Sequence, residues 1–381
     1  MAAIGVDRKS YLEVILDGKP LPLEAMRFSG ILISQHQLYH LPCGQLVFSD
    51  PYRLTNNTYT PADGSELIIR IGPNSERVKT YKFRVFHTTT EQEGSGLKCK
   101  ISFISNYPSW FLKSGGSSIR GNSRDALLAI ADRNGLQFDG VTTSDSQAWL
   151  PATESECRFA RRIASFGYVD DTSCMMMGVT LEGKLKYVNL NSRNFSSNLP
   201  LFAYGAEKGI FCTDWSSRSL SGSNNLLGGY KTAMKQFDPL TALRQSASKV
   251  STKRITSSIN VNKAISGKVG DGRTKVMPMN SGNKHSKANE ASNQNMRIAL
   301  FLAQSVSVLT PIQSGVELFE PIQFENYLYD GKTRNTGVDP NTSGPYLVVG
   351  KAIYIGADLL YTERLQFIRD GYGADKSKVI S

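Results

Sequence analysis

The sharpest short string in this sequence is Tyr168-Val169-Asp170-Asp171. Template-copying polymerases place such a string at a hairpin tip, where paired carboxylates hold two Mg²⁺ ions for nucleotidyl transfer. That chemistry needs a third carboxylate from another strand, and a strand leading into the tyrosine. Here a predicted helix and Gly167 lead into Tyr168, and no matching motif lies upstream. The string fits a solvated helix-to-strand turn better. Two carboxylate pairs, Glu154/Glu156 and Asp170/Asp171, have the residue types for glycoside cleavage. The first pair is already explained by a capping box, Thr153-Glu154-Ser155-Glu156, which satisfies backbone donors at a helix start. Neither pair sits in an aromatic-rich cleft motif.

His36 and His40 have the i, i+4 spacing that offers two metal ligands on a helix, with Cys43 as a third. The stretch Phe28 to His36 reads as extended, however, and Pro42-Cys43-Gly44 breaks any helix that would begin after it. Packed or solvated side chains are the plainer reading. Gly331-Lys332-Thr333 resembles the end of a phosphate loop, but Asn326 stands where its first glycine belongs. Gly228-Gly229-Tyr230-Lys231-Thr232 fails the same spacing, and the chain has neither GxGxxG nor GxSxG. Nucleotide hydrolysis and α/β-hydrolase chemistry lose their main support. No catalytic residue, cofactor or metal is expected.

Charge is the next candidate for function. Of a net +11, residues 244–297 supply +9, from eleven Lys and Arg against Asp271 and Glu290. Lys249, Lys253, Arg254, Lys263, Lys268, Arg273 and Lys275 are the core of this basic arm. Such a segment can neutralise nucleic-acid phosphates. It contains no Phe, Tyr or Trp, so it offers no base stacking. Its Ser, Asn, Lys and Gly content also suits a solvated loop, or an arm that docks on an acidic neighbour. The rest of the chain is nearly neutral. The five cysteines are scattered and never in a CxxC pair, which reads as reduced thiols. No run of about 18 apolar residues suggests a membrane helix, and Asp7, Arg8 and Lys9 precede any apolar run, so neither an anchor nor a secretory signal is expected.

Elements must position whatever these residues do. Residues 11–105 read as β-structure. Tyr81, Phe83, Val85 and His87 alternate with polar residues, as do Leu97, Cys99, Ile101 and Phe103 after turn material at Glu91 to Gly96. After Pro108 the texture changes. Ser123 can cap a helix over Arg124 to Asn134 that stops at Gly135. A second helix carries Phe159, Ala160, Ile163 and Ala164 on its apolar face and Arg158, Arg161 and Arg162 on its wet side. Met175 to Leu190 reads as a hairpin turning at Glu182-Gly183. Arg297 to Leu309, Val316 to Phe319, Tyr346 to Ile355 and Leu360 to Arg369 read as strands, with a long loop at Asp330 to Gly344. The fold class is therefore α+β, mainly β, with a basic insertion.

This order of parts resembles the bacteriophage tail baseplate hub family, whose fold the N-terminal halves of type VI spike proteins share. Three stretches carry the resemblance. The first is Tyr11 to Ile104, with Leu32-Ile33-Ser34 and Asp50. The second runs from Arg124-Asp125-Ala126-Leu127 through Trp149-Leu150-Pro151 and Gly167-Tyr168-Val169-Asp170-Asp171 to Gly183-Lys184-Leu185-Lys186-Tyr187. The third is Gly344-Pro345-Tyr346-Leu347-Val348-Val349-Gly350, Tyr361 and Leu365-Gln366-Phe367-Ile368-Arg369-Asp370-Gly371.

The resemblance implies two tube-like β-barrels and a small α+β domain. The divisions expected are an N-terminal barrel at 1–107, the α+β domain at 108–200, connecting strands at 201–243, the basic arm at 244–297 and a C-terminal barrel at 298–381. It further implies a homotrimeric ring joining a six-fold tail tube to a three-fold central spike, and letting genomic DNA pass. Tail tube protein, spike, tape measure protein and other baseplate proteins would be the partners. The place would be the virion tail baseplate, after synthesis in the host cytoplasm. Tyr81, Phe83, Val85, Leu97, Ile101, Phe103, Tyr346, Val348 and Ile353 are the expected contact residues. The rival readings are a tail-associated peptidoglycan hydrolase and a nucleic-acid-binding module built on 244–297.

Overall fold

The computed structural model describes residues 10–37, 41–112, 118–151, 153–170, 173–190, 198–206, 208–219, 232–237, 244–245, 273–278, 294, 298, 301–302, 304–328 and 337–369. The basic-arm residues Lys249, Lys253, Arg254, Lys263 and Lys268 lie outside these, as do His40, Asp171 and the Gly331-Lys332-Thr333 string.

The alternating N-terminal segments form β1 (Tyr11–Leu16), β2 (Lys19–Pro20), β3 (Phe28–His36), β4 (Cys43–Asp50), β5 (Glu66–Gly72), β6 (Lys79–Glu93) and β7 (Gly96–Ser105). Asp17 and Gly18, both at positive φ, make the two-residue turn that suits a right-twisted hairpin. A one-turn helix, α1 (Leu54–Asn57), lies between β4 and β5. The middle of the chain supplies β8 (Ile119–Gly121), α2 (Ser123–Arg133), β9 (Gln137–Gly140), β10 (Gln147–Trp149), α3 (Glu156–Phe166), β11 (Met175–Val179) and β12 (Lys184–Asn189). Then come β13 (Leu201–Tyr204), β14 (Ile210–Cys212) and β15 (Asp214–Ser219). A separate small sheet holds β16 (Thr232–Phe237), β17 (Arg244–Gln245) and β18 (Arg273–Pro278), so Arg273 and Lys275 of the basic arm lie on a strand. The last strands are β19 (Gln304–Thr310), β20 (Pro321–Asn326), β21 (Gly344–Gly356) and β22 (Tyr361–Arg369).

One mixed sheet carries both ends of the chain, in the order β14-β13-β20-β21-β3-β4-β7-β6-β5-β1-β2, with β22, β19 and β15 branching from β21. Strand β21 makes this possible. One edge pairs with β22 along most of its length. The other edge pairs with β20 at Gly344–Leu347 and then with β3 at Gly350–Gly356. A β-bulge between Val348 and Gly350 marks the change of partner. The C-terminal path closes on itself, because β14 and β15 are successive strands separated only by Thr213, whose N–H donates to Leu309 O at 2.8 Å. In the N-terminal half, Ser10 N–H donates to Leu359 O at 3.0 Å, tying the start of β1 to the β21–β22 turn.

Each half has its own apolar core. Ile31, Ile33, Leu46, Phe48, Phe83 and Phe103 centre the first. Phe202, Val306, Phe324, Tyr346, Leu365 and Phe367 centre the second. β21 serves both: Tyr346 and Val348 pack in the second core, Ile353 and Ile355 in the first. Between them, α2 and α3 pack Leu127, Ile130, Phe159 and Ile163 with Trp110, Trp149 and Tyr187. The five cysteines are free thiols.

Four local expectations change. The cap of α2 is Asn122, whose side chain accepts from Asp125 N–H; Ser123 is the first helical residue. The cap of α3 is Ser155 rather than Thr153, because Glu156 at the first helical position is drawn to Arg133 on α2, at 3.0 Å, instead of closing a capping box. Ile298 and Phe301 are helical, and the strand begins only at Gln304. Val316 to Phe319 is not a strand: Phe319 sits at φ 64°, a left-handed conformation that ends extension.

Candidate functional site

The residues singled out for chemistry are dispersed. Tyr168 to Asp170 form a turn after α3, closed by Ser173, whose hydroxyl accepts from the N–H groups of Val169 and Asp170 at 2.8 Å. Asp145, buried beside them, accepts from Ser123 N–H and Oγ at 2.8 Å and so holds the start of α2. Glu154 pairs with Arg162 and Glu156 with Arg133, so each carboxylate is bound to a guanidinium on a helix. His36 and Cys43 lie on neighbouring strands, opposite Gly350 and Ser34 respectively. Among the described residues no group of three His, Cys, Asp or Glu is placed to hold a metal.

The expected contact residues need correcting. Tyr81, Phe83, Val85, Ile101, Phe103 and Ile353 are buried in the first core, and Tyr346 and Val348 in the second. Leu97 is half-buried against the first core. The physical reason is general: the apolar row of a strand is consumed by its own sheet. The row a neighbour would meet is the alternate one, which on β6 holds Lys82, Arg84 and the exposed Phe86.

That outward row defines the site. Cross-strand partners run without interruption from one half of the chain to the other. Ser216 faces Ser307, Ser307 faces Gln366, Gln366 faces Gly350, and Gly350 faces His36. The adjacent row runs Arg364, Ala352, Ser34, Cys43, Ile104 and Arg84. Small and polar residues dominate both rows, while the opposite face of the same strands carries Val306, Val308, Leu365 and Phe367 in the core. A sheet with one wet face and one packed face reads as strict alternation. The sequence carried this signal in Ser305-Val306-Ser307-Val308 and Arg364-Leu365-Gln366-Phe367, but no catalytic pattern drew attention to it.

A cavity of about 400 Å³ lies at the centre of this face, lined by His36, Ser216, Arg218, Ser307, Arg364 and Gln366 among others. Arg364 Nε donates to Ser307 Oγ at 2.9 Å, and Gln366 Nε2 donates to Ser305 Oγ at 3.1 Å. Burial lowers the imidazole of His36 below its ordinary pKa, outweighing a hydrogen bond with Gln366 that favours the charged form. Lys351 also borders the cavity, but its ammonium is paired with Glu363, so the positive charge without a carboxylate partner there is that of Arg218 and Arg364 among the described residues. The arrangement can bind and orient a ligand.

The fold and the face together define a class: a mainly β protein in which one sheet joins two cores and keeps one side wet. Solved structures with this fold include tail proteins. The tail protein from Neisseria meningitidis MC58 is similar over 96% of this chain and 98% of its own, at 9% identity and TM-score 0.59. The 43 kDa tail protein of prophage MuSo2 from Shewanella oneidensis is similar over 95% of this chain and 98% of its own, at 11% identity and TM-score 0.61. The chain thus has the fold of these two tail proteins, in agreement with the resemblance carried by its sequence. No protein-family model matches the chain, and comparison with curated proteins finds no match.

Proposed function

We propose that this chain is a structural subunit of a phage tail baseplate, the hub at the end of the tail tube. Three copies form a ring, each supplying two β units, so that six units meet the tail tube on one side and the three-fold spike on the other. The observation that carries the proposal is the wet face built from both halves through the pairing of β3 with β21, which runs from Ser216 to Cys43 before Ile104 packs against the α2–α3 core. A channel wall needs such a face, and a catalyst does not. The tail-protein fold supports the same reading. Genomic DNA passes along this face, and the chain catalyses no reaction. Tube, spike, tape measure and other baseplate proteins are the partners, and the segment 244–297 docks on one of them. The 1–107, 108–200, 201–243 and 298–381 divisions are the bounds of these units along the chain, with β21 and β22 contributing to the cores of both halves.

The test is single-particle imaging of the purified protein without imposed symmetry. A three-fold ring with the Ser34–Ala352–Arg364 row on its channel supports the hub. A ring that places this row outside, or monomers at high concentration with and without tube protein, overturns it. A peptidoglycan-lysis assay on the wild-type chain separates the hydrolase reading, since lysis would contradict a purely structural role.

A further inference from the structure

Arg218 on β15 and Arg364 on β22 both border the central cavity, and neither has a carboxylate within 4.0 Å among the described residues. The carboxylates nearest in the strand registers are engaged otherwise. Asp214, on the same face two residues before Ser216, accepts from the backbone N–H of Trp215 at 2.7 Å and lies outside the cavity lining, and Glu363 faces the core in an ion pair with Lys351. Among the described residues no carboxylate lines the cavity. Two guanidinium groups with no carboxylate partner among the described residues therefore share a concave space with the hydroxyls of Ser216 and Ser307. Arg364 uses its Nε on Ser307, which fixes the plane of its fork. A guanidinium fork held in this way matches the oxygen spacing of phosphate, and charge-assisted bonds of this kind are about twice as strong as neutral ones.

We infer that this cavity is a phosphate-binding site, in which Arg218 and Arg364 clasp the oxyanion and Ser216 and Ser307 complete its hydrogen bonds. The cavity volume of about 400 Å³ far exceeds the ~30 Å³ share of a water molecule. It therefore admits a phosphoester as well as the free ion. The lining has no Phe, Tyr or Trp among the described residues, so the recognised group is the phosphate and not a base. The two sources of that group are a free phosphoester and the backbone of a nucleic acid. The inference needs neither the ring nor the channel, because every residue it names belongs to one chain.

The experiment uses the full chain and two probes, inorganic phosphate followed by ³¹P line broadening, and a short labelled single-stranded oligonucleotide followed by anisotropy. The variants are Arg218→Ala/Arg364→Ala and Ser216→Asp. The second leaves both guanidinium groups in place, adds a competing carboxylate at an exposed position, and keeps the test valid if the first does not fold. Wild type is expected to bind phosphate, and each folded variant to bind it at least about tenfold more weakly, the loss expected for a charge-assisted bond. Absence of phosphate binding by wild type, or unchanged binding in either variant, overturns the site. An oligonucleotide affinity that falls with the phosphate affinity makes nucleic acid the source. An unchanged one, carried by the basic segment, makes it a free phosphoester.

Discussion

Lys351 and Glu363 meet at 3.0 Å where the two cores adjoin, with the lysine side chain 5% exposed and the glutamate fully enclosed. On β21, Lys351 stands between Val348 of the second core and Ile353 of the first; on β22, Glu363 stands between Leu365 and Tyr361 in the same way. The carboxylate also accepts from the Tyr361 hydroxyl at 2.5 Å and from Ser314 Oγ at 2.6 Å. Burial, then the nearby Glu363 charge, pushes the Tyr361 phenol above its ordinary pKa, so it stays a donor. This buried network fixes how β21 hands over from one core to the other.

Removing one partner strands the other. Lys351→Met leaves Glu363 buried without its cation and is expected to cost about 3–5 kcal/mol. The double variant Lys351→Met/Glu363→Leu removes both charges and is expected to recover most of that loss. Urea unfolding followed by tryptophan fluorescence measures both. A double variant no better than the single would mean that the charges contribute more than each other's neutralisation.

Acid should loosen the α1 corner first. Burial alone would raise the pKa of Asp50. Hydrogen bonds from Thr55 N–H, Leu54 N–H and the Thr55 hydroxyl, at 2.8, 3.0 and 2.8 Å, together hold it below the ordinary value. Glu317, beside Lys186, is held low in the same sense. A depressed folded-state pKa means stability that is present above about pH 4 and lost as the pH falls through the lower folded value. Asp50→Asn should be less stable at pH 7 by roughly 1–3 kcal/mol and show a flatter stability profile below pH 4. Melting temperatures across pH 2–7 compare the two profiles (roughly the span of carboxylate titration).

The strands of both halves and the two helices were legible because alternation and helical spacing are local signals. Phe83 and Phe103, read as one apolar row from each strand, do share a core, with ring centroids 4.7 Å apart. The phase slip after Val85 was not legible. A bulge there leaves Phe86 unpaired and 69% exposed, and nothing in the residue types announces it. The helical segment at Ile298 and Phe301 was readable from its i, i+3, i+4 apolar spacing with Leu302, but the adjoining strand pattern of Val306 and Val308 masked it. The wet face was hidden for another reason. It depends on Ser34 meeting Ala352, a pairing set by register between distant segments.

Thiol chemistry reports on the second core. Burial pushes the Cys212 thiol up to about 12, against an opposing hydrogen bond from Ala203. Cys99 is raised as well, by burial first. A buried thiol held protonated is a poor nucleophile at pH 8. Only Cys43, half-exposed on the wet face, should react promptly with a disulfide reagent in the native protein. Cys43→Ser is expected to abolish the fast phase and leave a slow phase that appears with unfolding. A persisting fast phase would show that another cysteine is open to solvent.

Two phenylalanines separate folding from assembly. Phe367 packs against Phe202, Tyr346 and Phe324, with ring centroids 5.2, 6.3 and 6.5 Å away. Phe367→Ala should cost about 3–5 kcal/mol in the isolated chain, the usual loss for a large aromatic cut from a core. Phe86 touches solvent over most of its surface, so Phe86→Ser should change monomer stability by no more than about 0.5 kcal/mol. If the outward row of β6 meets a neighbouring subunit or the tail tube, Phe86→Ser should weaken that association while leaving the melting temperature of the free chain unchanged. Sedimentation velocity over a concentration series, with and without tube protein, reads the association. Equal assembly of Phe86→Ser and wild type would move the interface to another edge of the sheet.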